Sequence, residues 1–199
     1  MKNTLIISAY TCCGKTYASK HMKDYDILDV NISNFKTIKR FPNEEEIEEE
    51  RKRLHLMSVE GHLNQFKQQI ISVDDPDFPN NFIRYIKENI GKVDIIFVAS
   101  DIKIRQWLNE AKIKFVTVYP WNSCLSEWVG RMYLQDYPDF IIRNKINGWH
   151  HEVYPVKEPY GDQFFRLSYG RYINERLIDD CFILGYGING GTENESNSK

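Results

Sequence analysis

The sequence predicts a three-layer α/β domain around a mainly parallel sheet, and three observations carry that expectation. Short, wholly apolar runs recur along the chain, at Leu5-Ile6-Ile7, Ile95-Ile96-Phe97-Val98 and Phe115-Val116-Thr117-Val118. Such runs belong to strands buried on both faces. Segments with helical patterning separate them, and turn-forming residues mark the joins, as at Pro120 and Gly91.

The first strand, over Leu5 to Ile7, runs into a glycine-containing loop and then a helix over Lys15 to Lys23. Tyr25 to Val30 reads as a second short strand that ends in polar residues. From Pro42 to about Ile71 the pattern is helical and charged. Six glutamates between positions 44 and 50 precede Arg51, Lys52 and Arg53. Acids early and bases late suit the helix dipole and i,i+4 pairing, and a solvated helix face is the plain explanation. Asp74 to Asn81 is a turn-rich break, after which a helix over 81–89 ends near Gly91. A strand over Asp94 to Val98, a helix over Ile102 to Ala111 and a strand over Phe115 to Tyr119 follow. Ser123 to Tyr137 is an aromatic-rich helix, and Pro138 starts another that reaches about Trp149. A strand over Phe164 to Leu167 and a helix over Tyr172 to Asp180 complete the pattern. Residues 1–188 thus read as one domain. Residues 189–199 contain no apolar side chain and read as a disordered tail.

At 199 residues, 42% hydrophobic and 14% aromatic, the chain can bury a core of its own. Its formal charge of −2 offers no global attraction for nucleic acid or an anionic membrane. No apolar run approaches the roughly 20 residues of a membrane helix, and the start lacks a signal-peptide pattern. Cys12, Cys13, Cys124 and Cys181 have no metal-ligand spacing, and a bridge between the adjacent pair is strained. A reducing cytoplasm is therefore expected. His150-His151 lacks a third ligand at sensible spacing.

One motif carries chemistry. Ala9-Tyr10-Thr11-Cys12-Cys13-Gly14-Lys15-Thr16 matches the phosphate-binding pattern G-x-x-x-x-G-K-[ST], with alanine in place of the first glycine. In this motif backbone N–H groups curl round a phosphate, and the following helix adds its positive end. Lys15 is placed to reach the β- and γ-phosphates, and the Thr16 hydroxyl to bind Mg²⁺. Gly14 lets the backbone approach the anion. The candidate nucleotide-binding residues run from Ala9 through Tyr17. If the first position needs positive φ, Ala9 carries a penalty of about 1 kcal/mol. Cys12 and Cys13 read first as small loop fillers, with oxidation sensitivity as the second reading.

The strand, loop and helix, with Asp29 ending the second strand, resemble small P-loop kinases of the nucleoside-monophosphate, shikimate and polynucleotide 5′-kinase group. D-P-D-F-P-N-N-F-I-R-Y-I-K-E (Asp75 to Glu88), V-D-I-I-F-V-A-S (Val93 to Ser100) and F-V-T-V-Y-P (Phe115 to Pro120) are similar to phage and bacterial P-loop proteins described as nucleotide-kinase-like. The likeness covers roughly residues 4 to 180. It implies a P-loop NTPase fold with a mainly parallel five-stranded sheet, a helical insert after the second strand, and a helical lid. It also implies an ATP-dependent kinase that uses Mg²⁺ in the cytoplasm, whether of a bacterium or of a phage-infected host.

The resemblance carries particular roles. A carboxylate ending the second strand serves such kinases as general base or on the magnesium side, which points to Asp29; a turn aspartate is the alternative. Arg131 and Arg143 stand on the two helices where these kinases place their lid, so they become candidate catalytic arginines beside Lys15, or simple surface charges. Phe35, Lys36, Arg40 and Arg84 are diffuse acceptor candidates. No strong carboxylate ends the strand over Ile95 to Val98: Asp94 begins it, and Asp101 reads better as a helix cap.

Three functions remain open. The first is phosphoryl transfer to a small acceptor, a nucleoside monophosphate or deoxynucleotide foremost. The second is a polynucleotide or modified-base kinase, which the mild negative charge disfavours. The third is an ATP-binding regulatory module that hydrolyses slowly.

Overall fold

A computed structural model describes residues 2–54, 59–153 and 163–190. The elements follow in the order β1 (Asn3–Ala9), α1 (Lys15–His21), β2 (Ile27–Asp29), α2 (Ser33–Lys36), β3 (Thr37–Arg40), α3 (Glu44–Arg53), α4 (Val59–Gln68), β4 (Ile71–Asp74) and α5 (Asn80–Asn89). They continue with β5 (Ile95–Ala99), α6 (Ile102–Glu110), β6 (Val116–Pro120), a 3-10 turn (Asn122–Cys124), α7 (Leu125–Tyr133), α8 (Asp139–Val153), β7 (Gln163–Leu167), α9 (Glu175–Ile183) and β8 (Ile188–Asn189). The chain forms two compact units, one of Ile32–Phe82 and one of Met1–Asn31 with Ile83–Lys199.

The larger unit is α/β with a mainly parallel sheet. Its strands lie in the order β2-β5-β1-β6-β7, all neighbours parallel, and β8 joins β1 antiparallel as a sixth strand. The order follows from burial. Leu5, Ile6 and Ile7 and Ile95 to Val98 are fully buried, so β1 and β5 take central places, paired from Leu5–Ile95 to Ala9–Ala99. The shorter β2, only partly buried, falls to an edge. Trp128, Trp149, Tyr10 and Tyr119 fill the core beside the sheet.

The smaller unit carries the helices expected between Pro42 and about Ile71, with two strands at their ends that the sequence reading did not include. Helices α3 and α4 are there, but β3 and β4 flank them as an antiparallel pair, in register from Thr37–Asp74 to Arg40–Ile71. The charge run forms a helix, α3, with no buried residue, as expected of a solvated face. Its ion pairs, however, are spaced i,i+3, Arg51 with Glu48 and Arg53 with Glu50, and Asn43 and Glu46 add a reciprocal capping box at its start. Arg40, an acceptor candidate by sequence, holds Glu46 at 2.8 Å. Phe35 packs edge-on against Phe82.

Two boundaries move. The last helix begins at Glu175, capped by Asn174, which leaves Tyr172 in a loop. Asn189, assigned to the tail by sequence, pairs with Asn3 in β8; residues 191–199 lie outside the described residues. No helix among those described is long and apolar enough to cross a membrane.

Candidate functional site

The loop between β1 and α1 leaves the sheet at the carboxyl ends of the parallel strands, where ligands bind in open α/β sheets. Ala9 remains a strand residue, fully buried, and positive φ falls instead on Cys12 (58°) and Gly14 (99°). The replacement of glycine at position 9 therefore imposes no backbone strain. Gly14 carries the demand: a Cβ there would also lie 3.2 Å from the Tyr172 side chain.

The amides divide into two groups. Tyr10 N–H is bonded to the Val118 carbonyl, and Cys13 N–H to that of Tyr10. Those of Gly14, Lys15 and Thr16 precede the first intrahelical bond, from Ala18 N–H to the Gly14 carbonyl, and a helix leaves such groups without an internal acceptor. Ala9, Tyr10 and Cys13 are buried; Tyr10 meets Trp149 edge-on inside the core.

Lys15 donates from Nζ to the Ala9 carbonyl at 3.1 Å. Among the described residues no carboxylate lies within ion-pair distance of it. Burial pushes its pKa below the ordinary 10.5, although Cys13, Asp29 and Cys12 pull the other way. Thr16 donates from Oγ1 to Asp29 Oδ2 at 3.5 Å. Asp29, open to solvent on one side, is still crowded enough that desolvation raises its carboxyl pKa; Lys15 and the Thr16 hydroxyl partly offset this. Desolvation likewise raises the Cys12 thiol and takes that of Cys13 to about 12, so neither is an activated nucleophile.

A cavity of about 820 Å³ opens on this loop. Thr11, Cys12 and Gly14 to Tyr17 form one wall, Gln135 and Tyr137 a second, and Gly170 to Asn174 a third. Lys15 and Arg171 are the charged residues lining it, which suits an anion. Tyr137 Oη and Thr11 Oγ1 share a hydrogen bond of 2.9 Å, and Ile173 N–H donates to the Cys13 carbonyl at 2.9 Å.

The two arginines part company. Arg131 is buried beneath the loop: Nη1 reaches the Cys12 carbonyl at 3.2 Å, Nη2 the Arg171 carbonyl at 2.8 Å, and Nε pairs with Glu127 at 3.0 Å. Arg143, on α8, is exposed and does not line the cavity. Asp101 caps α6 by accepting from Lys103 N–H at 2.8 Å. Asp94 sits at the opposite end of the sheet, held by Lys2.

The residues fit a magnesium-bound nucleoside triphosphate in size and chemistry. The volume lies within the roughly 300–1,000 Å³ of small-molecule sites, a lysine faces it, and Thr16 with Asp29 offers the oxygen donors of a hard cation. No cluster of three or more His, Cys, Asp or Glu able to hold a metal occurs among the described residues; the side chains of His150 and His151 lie outside them. Of the sequence candidates, Thr11, Cys12 and Gly14 to Tyr17 line the cavity, while Asp29 meets Thr16 from outside that lining; Gln135, Tyr137 and the 170–174 wall carry no local motif and were not among the candidates. Comparison of the chain with protein-family models and with curated proteins finds no match.

Proposed function

We propose that this chain is an ATP-dependent phosphotransferase that moves the γ-phosphoryl group, with Mg²⁺, to a small acceptor, a nucleoside monophosphate or deoxynucleotide foremost. The single observation that supports it most is Lys15: a partly buried cation in a phosphate-loop motif, turned to a neutral carbonyl and bordering a cavity lined by no carboxylate. In this reading Lys15 exchanges the neutral Ala9 carbonyl for phosphate oxygens, so that donor and acceptor are both charged. The amides of Gly14 to Thr16 add their partial charge. Thr16 and Asp29 are the residues that would hold a magnesium ion, which when bound would supply charge neutralisation at the transferring group. Asp29 accepts or orients the acceptor's proton, its raised pKa bringing it closer to that task. Arg143, free of the sheet, is the lid candidate. The cytoplasm, where ATP is plentiful and thiols stay reduced, is the implied compartment.

A specific observation favours a second reading. With Asp101 committed to a helix cap and Asp94 at the far end of the sheet, β5 supplies no carboxylate beside the loop, which suits a module that hydrolyses ATP slowly and switches a partner.

Purified protein with Mg-ATP, offered nucleosides, nucleotides and 5′-hydroxyl oligonucleotides in parallel, tests the assignment, with Lys15→Ala as control. ADP formation that depends on one small nucleotide supports the kinase, and dependence on oligonucleotide supports the polynucleotide reading. Slow hydrolysis indifferent to every acceptor supports the module.

A further inference from the structure

Helix α7 presents three side chains, Glu127, Trp128 and Arg131, to the two loops that wall the cavity. Trp128 Nε1 donates to the Thr11 carbonyl at 2.8 Å, and Arg131 Nη1 to that of Cys12 at 3.2 Å. Both carbonyls belong to the phosphate loop. On the other side, Gly170 N–H donates to the Glu127 carboxylate at 3.0 and 3.1 Å, and Arg131 Nη2 donates to the Arg171 carbonyl at 2.8 Å. The guanidinium is stacked between the Trp128 ring, 3.9 Å away, and the Tyr172 ring, 3.7 Å away. Its charge is met by Glu127, one helical turn earlier.

We propose that Arg131 is a positioning residue: it clamps the phosphate loop to the 170–174 wall from behind, and so holds the anion cup in its binding shape. The proposal rests on the nucleotide reading and assigns Arg131 a different task from a lid arginine that touches the phosphoryl group. Three features separate the two. The side chain is 4% exposed. It does not line the cavity. Its fork is engaged by two backbone carbonyls and a carboxylate. Lysine cannot replace it, because one ammonium on a flexible stem lacks the flat fork that spans two loops and stacks between two rings.

Arg131→Met alone leaves the half-buried Glu127 without its cation and invites misfolding. The double variant Glu127→Gln/Arg131→Met removes both charges, keeps an acceptor for Gly170 N–H and leaves an apolar side chain between the rings. With the full-length protein at a temperature where circular dichroism shows each variant folded, two readouts apply. In hydrogen exchange without nucleotide, amides at 11–14 and 170–173 of the double variant and of Arg131→Lys exchange faster than in the unmodified protein, while β1 and β5 do not. In calorimetry the affinity for Mg-ATP falls about tenfold or more, the equivalent of 1.4 kcal/mol, while hydrolysis by the saturated complex changes much less. Retained affinity with collapsed turnover would mean that Arg131 touches the phosphoryl group, and would overturn the proposal. Unchanged affinity, exchange and turnover in folded variants would overturn it too, leaving a merely structural bolt. If the unmodified protein fails to bind Mg-ATP, the nucleotide reading itself falls, and the clamp's purpose with it.

Discussion

Two lysines stand at opposite ends of β1 and meet opposite fates. Lys2, before the strand, pairs with Asp94 at 2.8 Å and Asp26 at 3.3 Å; the bond to Asp94 leads the causes that raise its pKa. Lys15, after the strand, pairs with no carboxylate among the described residues, and burial lowers its pKa. One fastens the N-terminal edge of the sheet. The other holds a charge whose electrostatic demand the protein leaves unmet. On the proposed function, this unmatched cation is where an anion from outside would bind, at a cost to the empty protein.

The largest effect expected from this asymmetry lies at Asp29. Asp29→Asn should lower phosphoryl transfer about 100-fold or more and, by removing a charged oxygen donor from the magnesium side, should also weaken Mg-ATP binding. Because the folded pKa of Asp29 lies above the ordinary 3.8, its ionised form is lost as pH falls through that raised value. An acid limb of the rate profile should follow the ionisation of Asp29 and should vanish in Asp29→Asn. A variant with unaltered turnover would leave Asp29 as a turn residue.

Next comes Gly14. Alanine there meets both a φ of 99° and the Tyr172 ring 3.2 Å away, a cost of roughly 1–3 kcal/mol. Stability by denaturant titration and Mg-ATP affinity should both drop. Adding Tyr172→Ala should remove the ring contact but neither the equally close Tyr172 Cβ nor the strained φ, giving at most partial recovery; full recovery would show that the backbone angle is unimportant.

The pH dependence of binding sharpens the contrast between the lysines. Anion affinity needs the Lys15 ammonium, so it is complete below the folded pKa and declines as pH rises through it, earlier than 10.5. Stability of the empty protein shows the reverse: the penalty for a charged Lys15 fades as pH climbs from that folded pKa toward 10.5. Lys15→Met should consequently melt no lower than the unmodified protein at neutral pH. A clearly lower melting point would indicate that Lys15 is an ordinary structural lysine.

The smallest effect belongs to Lys2. Lys2→Met removes exposed ion pairs, which are individually weak, and should lower the melting temperature by at most a few degrees, with nucleotide binding untouched. Asp94, raised by desolvation but lowered further by its bonds from Lys2 and the Asp26 amide, ends below the ordinary carboxylate value. Its contribution to stability is thus present above the ordinary 3.8 and is lost as pH falls through the depressed folded pKa; in Lys2→Met the contribution should be smaller and should be exhausted at higher pH.

The parts legible in the sequence were those in which a local pattern and its cause coincide. The apolar runs at Leu5 and Ile95 became the central strands, Asp101 became a cap, and strand, loop and helix joined where the motif required. The rest depends on partners distant in sequence. Thr37 to Arg40 shows no apolar alternation, and forms β3 only because β4 runs beside it. Gln135, Tyr137 and Tyr172 reach the cavity through loops whose course the topology dictates. Arg131 has the i,i+4 spacing from Glu127 of a solvated helix pair, yet it is buried; periodicity registers spacing but not what packs against it.

The most direct test of the central claim is calorimetric titration of Mg-ATP into the intact protein and into Lys15→Ala, near neutral pH. Binding by the unmodified protein, weakened about 100-fold or more in the variant, is the expected result. Equal binding by both, or none by either, would contradict a phosphate site built around Lys15.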